Sequence, residues 1–273
     1  MTGFEKAVRY LATAFAVFLA VSIIGGILGA VGLLGGMLTG DETEPEEMKP
    51  YTLSSEIHSL KMEIAAADVV LRSSDAFALE SNVPNLTVQE KNGVLILQDR
   101  QKWGKAHTGR TLILSIPSDT ELERMELELG AGRLTADCLC AETVKLELGA
   151  GEVNVDRLVA GRALTLEGGA GKITVSGGEL HNPELEMGVG QLNLTAKLSG
   201  ECTFDLGVGE SNFTVLGKRE AFALDIEKGI GEVRLDGKSI SNFKEKGGKD
   251  SIEINGGIGA IRLDFKESGT AFG

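Results

Sequence analysis

The chain has 273 residues, 42% of them hydrophobic but only 5% aromatic, with 37 glycines and a formal net charge of −13. Acidity of this size excludes nucleic acid as a partner, because binding phosphates requires a basic face. The three cysteines (Cys138, Cys140 and Cys202) have no zinc-like spacing, and no nucleophile-elbow, P-loop or Cys/His nucleophile pattern occurs.

Residues 1–10 carry Lys6 and Arg9 against Glu5 and read as a cytoplasmic N-terminus. From Leu11 to Leu38 there is no charged residue, which exceeds the roughly 20 apolar residues a helix needs to span a bilayer. Residues 11–38 are therefore expected to form a retained transmembrane helix, being too long for the apolar core of an ordinary cleavable signal. Asp41, Glu42, Glu44, Glu46 and Glu47 follow it, so the positive-inside rule places the N-terminus inside and everything after it outside the cytoplasmic membrane, as a single-pass protein. Gly25 and Gly29, and Gly32 and Gly36, are spaced for close helix approach, so the anchor is expected to meet itself or another envelope protein. Residues 39–50 are an acidic, Pro-containing linker.

Residues 51–125 read as strands that cap a repeat array. Lys61–Leu71 resembles a worn copy of the repeat, with Ala65 and Ala67 where glycines would stand. Leu86–Gln98 alternates around Asn92-Gly93, a hairpin signal. A polar loop with Trp103 and His107 follows, then the strand Thr111–Ile116, stopped by Pro117.

Residues 126–273 hold the regular repeats and the C-terminal cap. A Gly-x-Gly phrase returns at Gly130/Gly132, Gly149/Gly151, Gly169/Gly171, Gly188/Gly190, Gly207/Gly209, Gly229/Gly231 and Gly257/Gly259. The first copies lie about 19–20 residues apart, the signature of a solenoid coil. In Thr143–Asp156, Val144, Leu146 and Leu148 alternate with Lys145 and Glu147, the phrase turns the chain, and Val153 and Val155 point inward again. The same inward pair recurs as Leu134/Ala136, Ile173/Val175, Leu192/Leu194, Ser211/Phe213, Val233/Leu235 and Ile261/Leu263. The glycines serve corners that need positive φ or leave no room for Cβ. Phosphate binding is disfavoured, because each glycine phrase opens a second strand rather than a helix.

Strands joined by G-A-G or G-V-G corners, an N-terminal apolar helix and a worn first repeat together resemble the bacterial putative-adhesin family, close to the Toastrack domains. The resemblance covers about residues 51–265. It implies an extracytoplasmic β-solenoid with roles in adhesion or envelope sensing and supplies no catalytic residue. The expected fold is all-β: a single-domain β-solenoid (β-helix) with GxG corners, preceded by one transmembrane α-helix.

Two residues before each corner stand Glu128, Glu147, Glu167, Glu186, Asp205 and Glu227, then Asn255. Stacked in register, these acids form a ladder with rungs about 5 Å apart, each pair repelling by about 0.8 kcal/mol in water. Lys145, Lys172 and Arg133, a calcium ion or a basic partner could offset them; solvation alone is the simpler alternative. A second column, Thr135, Asn154, Thr174, Asn193 and Asn212, is expected to hydrogen-bond from rung to rung. Cys202 is expected to be a buried thiol, and a bridge between Cys138 and Cys140 is expected to be sterically awkward. His58, His107 and His181 form no ligand or catalytic pattern.

The reading is therefore a non-enzymatic, cofactor-free interaction surface. An envelope-stress sensor acting through a membrane partner is the alternative. A polysaccharide-cleaving β-helix would need a groove of clustered carboxylates with aromatic platforms, and the even acid spacing and low aromatic content disfavour it.

Overall fold

The computed structural model describes residues 47–54, 56–99 and 109–267. They lie in one of the chain's two structural units, 46–101 with 109–273. The expected membrane span over 11–38 lies outside the described residues; among those described, no helix is long and apolar enough to cross a membrane.

The strands are β1 (Lys49–Tyr51), β2 (Ser59–Ser74), β3 (Ala78–Ser81), β4 (Leu86–Lys91), β5 (Val94–Asp99), β6 (Thr111–Pro117), β7 (Leu122–Val175), β8 (Gly178–His181), β9 (Pro183–Ser199) and β10 (Glu201–Leu216). A 3-10 turn at Arg219–Ala221 leads to β11 (Phe222–Glu227), β12 (Ile230–Leu235), β13 (Lys238–Ile240), β14 (Phe243–Glu245) and β15 (Asp250–Lys266). β7 continues through its own corners because the backbone keeps pairing with the coils above and below it.

The coils stack in parallel and in register. Ala67 pairs with Gly132, Gly171 with Gly190, Gly190 with Gly209, and Gly209 with Gly259. Alternation decides which side chains enter the stack: Val144, Leu146 and Leu148 are buried, while Lys145 and Glu147 stay partly solvated. Successive coils place these aliphatic residues over one another at the strand spacing of about 4.8 Å, so each coil buries its apolar face only through its neighbours. Phe204 and Phe213 stack inside one coil with ring centroids 4.7 Å apart. In the coil of Gly168 the inward position loses its side chain. Met187 of the next coil fills that space, since a Cβ on Gly168 would lie 2.6 Å from its sulfur.

At both ends the stacking order departs from chain order. β2 lies between β7 and an outer coil made by β5 and β6, both of which follow β2 in sequence. At the other end β15, the last strand, inserts between β10 and an outer coil made by β11 and β12. Each outer coil is then flanked by antiparallel strands: β4 on β5, β3 on β6, β14 on β11 and β13 on β12. The β4–β5 hairpin turns at Asn92 and Gly93, both at positive φ, as the Asn-Gly pair predicts. The last strand at the amino-terminal end, β1, reads Lys-Pro-Tyr, and its charge and missing N–H discourage further pairing. A parallel coil left open would present a ready template for other chains; short antiparallel strands close most of it.

Candidate functional site

The Gly-x-Gly corners are the tightest contacts in the stack. The second glycine of each phrase sits at positive φ, from +123° at Gly132 to +143° at Gly209. A Cβ on Gly151 would lie 1.9 Å from the Gly132 carbonyl oxygen, and one on Gly171 equally close to that of Gly151. The first glycines are crowded too: a Cβ on Gly149 would lie 2.4 Å from the carbonyl oxygen of Gly130. Gly130, Gly132, Gly149, Gly151, Gly169, Gly171, Gly188, Gly190, Gly207, Gly209, Gly257, Gly259, Gly229 and Gly231 thus form two adjoining columns of backbone packed on backbone. Ala67 occupies the equivalent place in β2 without positive φ.

The acidic ladder starts one rung earlier than the repeat suggests. Glu63 pairs with Glu128, and the column continues through Glu147, Glu167, Glu186 and Asp205. Because β15 is inserted, Asn255 then stands between Asp205 and Glu227 instead of following Glu227. Its Nδ2 donates to Asp205 Oδ1 at 2.7 Å.

Cations offset one end of this face. Lys61 Nζ lies 2.8 Å from Glu63 and 4.0 Å from Glu126, and Lys145 contacts Glu147. The hydrogen bond from Lys61 holds the Glu63 carboxyl below its ordinary range against the opposing effect of burial, and Gln98 adds a second donor. Arg133 and Lys172, expected near the ladder, lie past the corner on the second strand; Arg133 pairs there with Glu152 at 3.5 Å. Toward the other end, Glu167, Glu186 and Asp205 have no cation in salt-bridge contact among the described residues. Also among the described residues, no group of three or more His, Cys, Asp or Glu is placed to hold a metal ion.

The second polar column is linked only in part. Asn212 Nδ2 donates to Asn193 Oδ1 at 2.9 Å, and Arg262 Nη1 donates to Asn212 Oδ1 at 2.9 Å. Thr174 Oγ1 is buried without a hydrogen-bond partner, so the ladder is not continuous. Asn212, then Arg262, hold the Glu210 carboxyl below its ordinary range.

Cys202 is buried, and desolvation, with Asp250 nearby, pushes its thiol up to about 12. The sulfurs of Cys138 and Cys140 lie side by side. Two residues apart on one strand, both face the same side, with buried Leu139 pointing the other way. His58 is exposed, His181 contacts Ser199 Oγ at 3.0 Å through Nδ1, and His107 lies outside the described residues.

Sequence reasoning passed over the middle residue of each corner. These residues form a column of Ala66, Ala131, Ala150, Ala170, Val189, Val208, Ile258 and Ile230. Side chains grow along it toward the carboxy-terminal end, where Ile258 is 44% and Ile230 72% exposed. Large aliphatic residues between two glycines were the available signal.

Parallel coils in register, glycine corners and antiparallel end strands define an all-β protein built as a capped open stack. The chain belongs to the Toastrack DUF4097 family, whose model matches residues 54–272. Among solved structures, it is similar to a protein titled "putative adhesin" from Bacteroides fragilis, at 14% identity and a TM-score of 0.50, covering 80% of this chain and 98% of that one. Two further likenesses have lower scores. A "putative cell adhesion protein" from Clostridium sporogenes has 15% identity, a TM-score of 0.29 and coverage of 81% and 99%. A "putative lipid binding protein" from Parabacteroides distasonis has 13% identity, a TM-score of 0.29 and coverage of 82% and 94%. No curated protein matches the chain.

Proposed function

We propose that this chain is a non-enzymatic, membrane-anchored β-solenoid that presents one sheet face, outside the cytoplasmic membrane, to a protein or other envelope component. The observation that carries this reading is the acidic column from Glu167 through Glu186 to Asp205, held on consecutive parallel rungs without salt bridges among the described residues. Like charges directly opposite one another destabilise a sheet, so a face that keeps them is suited to a basic partner that neutralises them on binding. The ion pairs Lys61–Glu63, Arg133–Glu152 and Lys145–Glu147 lie on partly exposed faces of the stack, where a partner can reach them. The apolar run over 11–38, with its flanking charges, supports the anchor and the orientation.

The test is an affinity capture from gently solubilised membranes with the intact chain, beside one carrying Glu167→Gln, Glu186→Gln and Asp205→Asn. Partners retained by the intact chain and lost by the neutralised one are the expected result. Equal retention by both would remove the acidic face from the reading. Protease treatment of intact cells should digest the residues after 50; protection of that part would overturn the orientation.

A further inference from the structure

The carboxy-terminal cap cuts a corner. The outermost coil passes from β11 to β12 through residues 227–232, with Ile226 paired to Phe243 and Val233 to Ile240. The capping chain joins the same two places with only Ser241 and Asn242. It cannot follow the bend, and Asn242 Oδ1 reaches the Lys228 N–H alone, at 2.9 Å. Gly229-Ile230-Gly231 therefore projects beyond the cap, with Ile230 at 72% and Ile258 beneath it at 44% exposure. Val208 and Val189 continue this apolar edge down the stack, over a shallow depression that includes Leu206 and Ile261.

The flanks of the projection carry opposite charges. Lys228 and Glu232 lie two residues either side of Ile230, and both are exposed. Lys228 Nζ makes no salt bridge among the described residues, while Glu232 Oε1 accepts from Arg234 Nε at 2.9 Å and from Ser239 Oγ at 2.9 Å, leaving Oε2 unused. Read backwards, Lys-Gly-Ile-Gly-Glu presents the charge order that complements itself. A two-fold axis through Ile230 sets Lys228 of each copy opposite Glu232 of the other and Ile230 on Ile230, and the two glycines let the backbones approach.

We propose that two copies of this chain pair tip to tip through this corner, antiparallel about Ile230. A second copy is the occupant because it supplies the required sequence of carboxylate, aliphatic side chain and ammonium at the required spacing. Elsewhere the two chains repel through their net charge of −13 each, so the contact is weak and depends on this local complementarity. The inference stands apart from the acidic-face reading, and either can fail without the other.

Site-directed cross-linking of the full chain in detergent micelles tests it. Cys202 is buried, and with Cys138→Ser and Cys140→Ser in every variant an introduced thiol reports its own position. Under mild oxidation Ile230→Cys is expected to give a linked homodimer. Ala150→Cys, exposed in the same column, controls for pairing driven elsewhere in the chain and is expected to stay monomeric. Adding Lys228→Glu to Ile230→Cys should lower the yield by about fivefold, since two attractive pairs become repulsive. Mixing that chain with one carrying Glu232→Lys and Ile230→Cys should restore linkage between the two. Equal linkage at Ile230→Cys and Ala150→Cys, or no restoration on mixing, overturns the proposal. If Glu232→Lys does not fold, Lys228→Gln takes its place: a yield between those of Lys228 and Lys228→Glu supports the pairing, and equal yields for all three overturn it.

Discussion

Asn255 donates a hydrogen bond to Asp205 across 2.7 Å, although fifty residues separate them in the chain. The contact exists because the last long strand returns to lie between two coils that precede it. At that rung an amide stands where the two neighbouring coils carry carboxylates, and a like-charge contact becomes a hydrogen bond between Asp205 and its neighbour.

Replacing Asn255 by Asp should therefore destabilise the carboxy-terminal end. The substitution removes a charge-assisted hydrogen bond and joins Glu227 to the carboxylate column that ends at Asp205, a cost of about 1–2 kcal/mol. Thermal melting at low salt should drop by several degrees, with the difference shrinking as salt screens the exposed charges. An unchanged melting temperature would mean that the inserted strand does not place Asn255 against Asp205 in solution.

Leu148 and Glu147 separate the two faces of one coil. Leu148→Asp puts an unpaired charge among Leu146, Val153 and Val155 and should unfold the coil, costing several kcal/mol. Glu147→Lys changes only the partly solvated side and should leave the far-ultraviolet circular dichroism intact, with a melting shift under about 1 kcal/mol from the lost Lys145 pair. Equal damage from the two would contradict the assignment of faces.

Gly151→Ala should be among the most harmful single-methyl changes in this chain. It forces a side chain onto a residue at φ +138° and places its Cβ 1.9 Å from a carbonyl oxygen of the coil below. Gly217→Ala adds the same methyl where nothing lies within 4 Å. A stability loss of about 3 kcal/mol or more is expected for the first and under about 0.5 kcal/mol for the second. Denaturant melts of both variants measure this directly, and similar midpoints would sink the account of the corners.

Acid should weaken the fold before neutral or mildly alkaline solution does. Glu63, Glu152, Glu210 and Glu232 are held below their ordinary value of 4.5, chiefly by hydrogen bonds from Lys61, Asn154, Asn212 and Arg234 respectively. A carboxyl that ionises more readily in the folded chain than in the unfolded one stabilises the fold fully above about pH 4.5 and loses that effect as pH falls through the lowered value. Melting temperature should be level from about pH 6 to 8 and fall below about pH 4.5, with a smaller fall in Glu210→Gln. A midpoint indifferent to pH down to about 3 would be the contrary result.

Alternation of Val, Leu and Ile with charged residues, broken at a fixed interval by Gly-x-Gly, identified the strands, their buried faces and the period of the coil. These are local properties: period two and the conformational freedom of glycine act over a few residues, so they can be read directly. The same reading fixed which residues enter the acidic column, Glu63 excepted. There the repeat is masked by Ala65 and Ala67, whose small side chains take the corner without the glycine signal.

Stacking order was not legible, because every coil presents nearly the same edges to a neighbour and local pattern cannot say which coil lies on which. Only the tertiary structure decided that β2 and β15 are each overlaid by a coil from elsewhere in the chain, so that Asn255 divides Asp205 from Glu227. It also decided that a two-residue shortcut in the cap leaves Ile230 uncovered. The reason is geometric: exposure at a corner depends on the path of the strand beside it, and that path is set by segments distant in sequence.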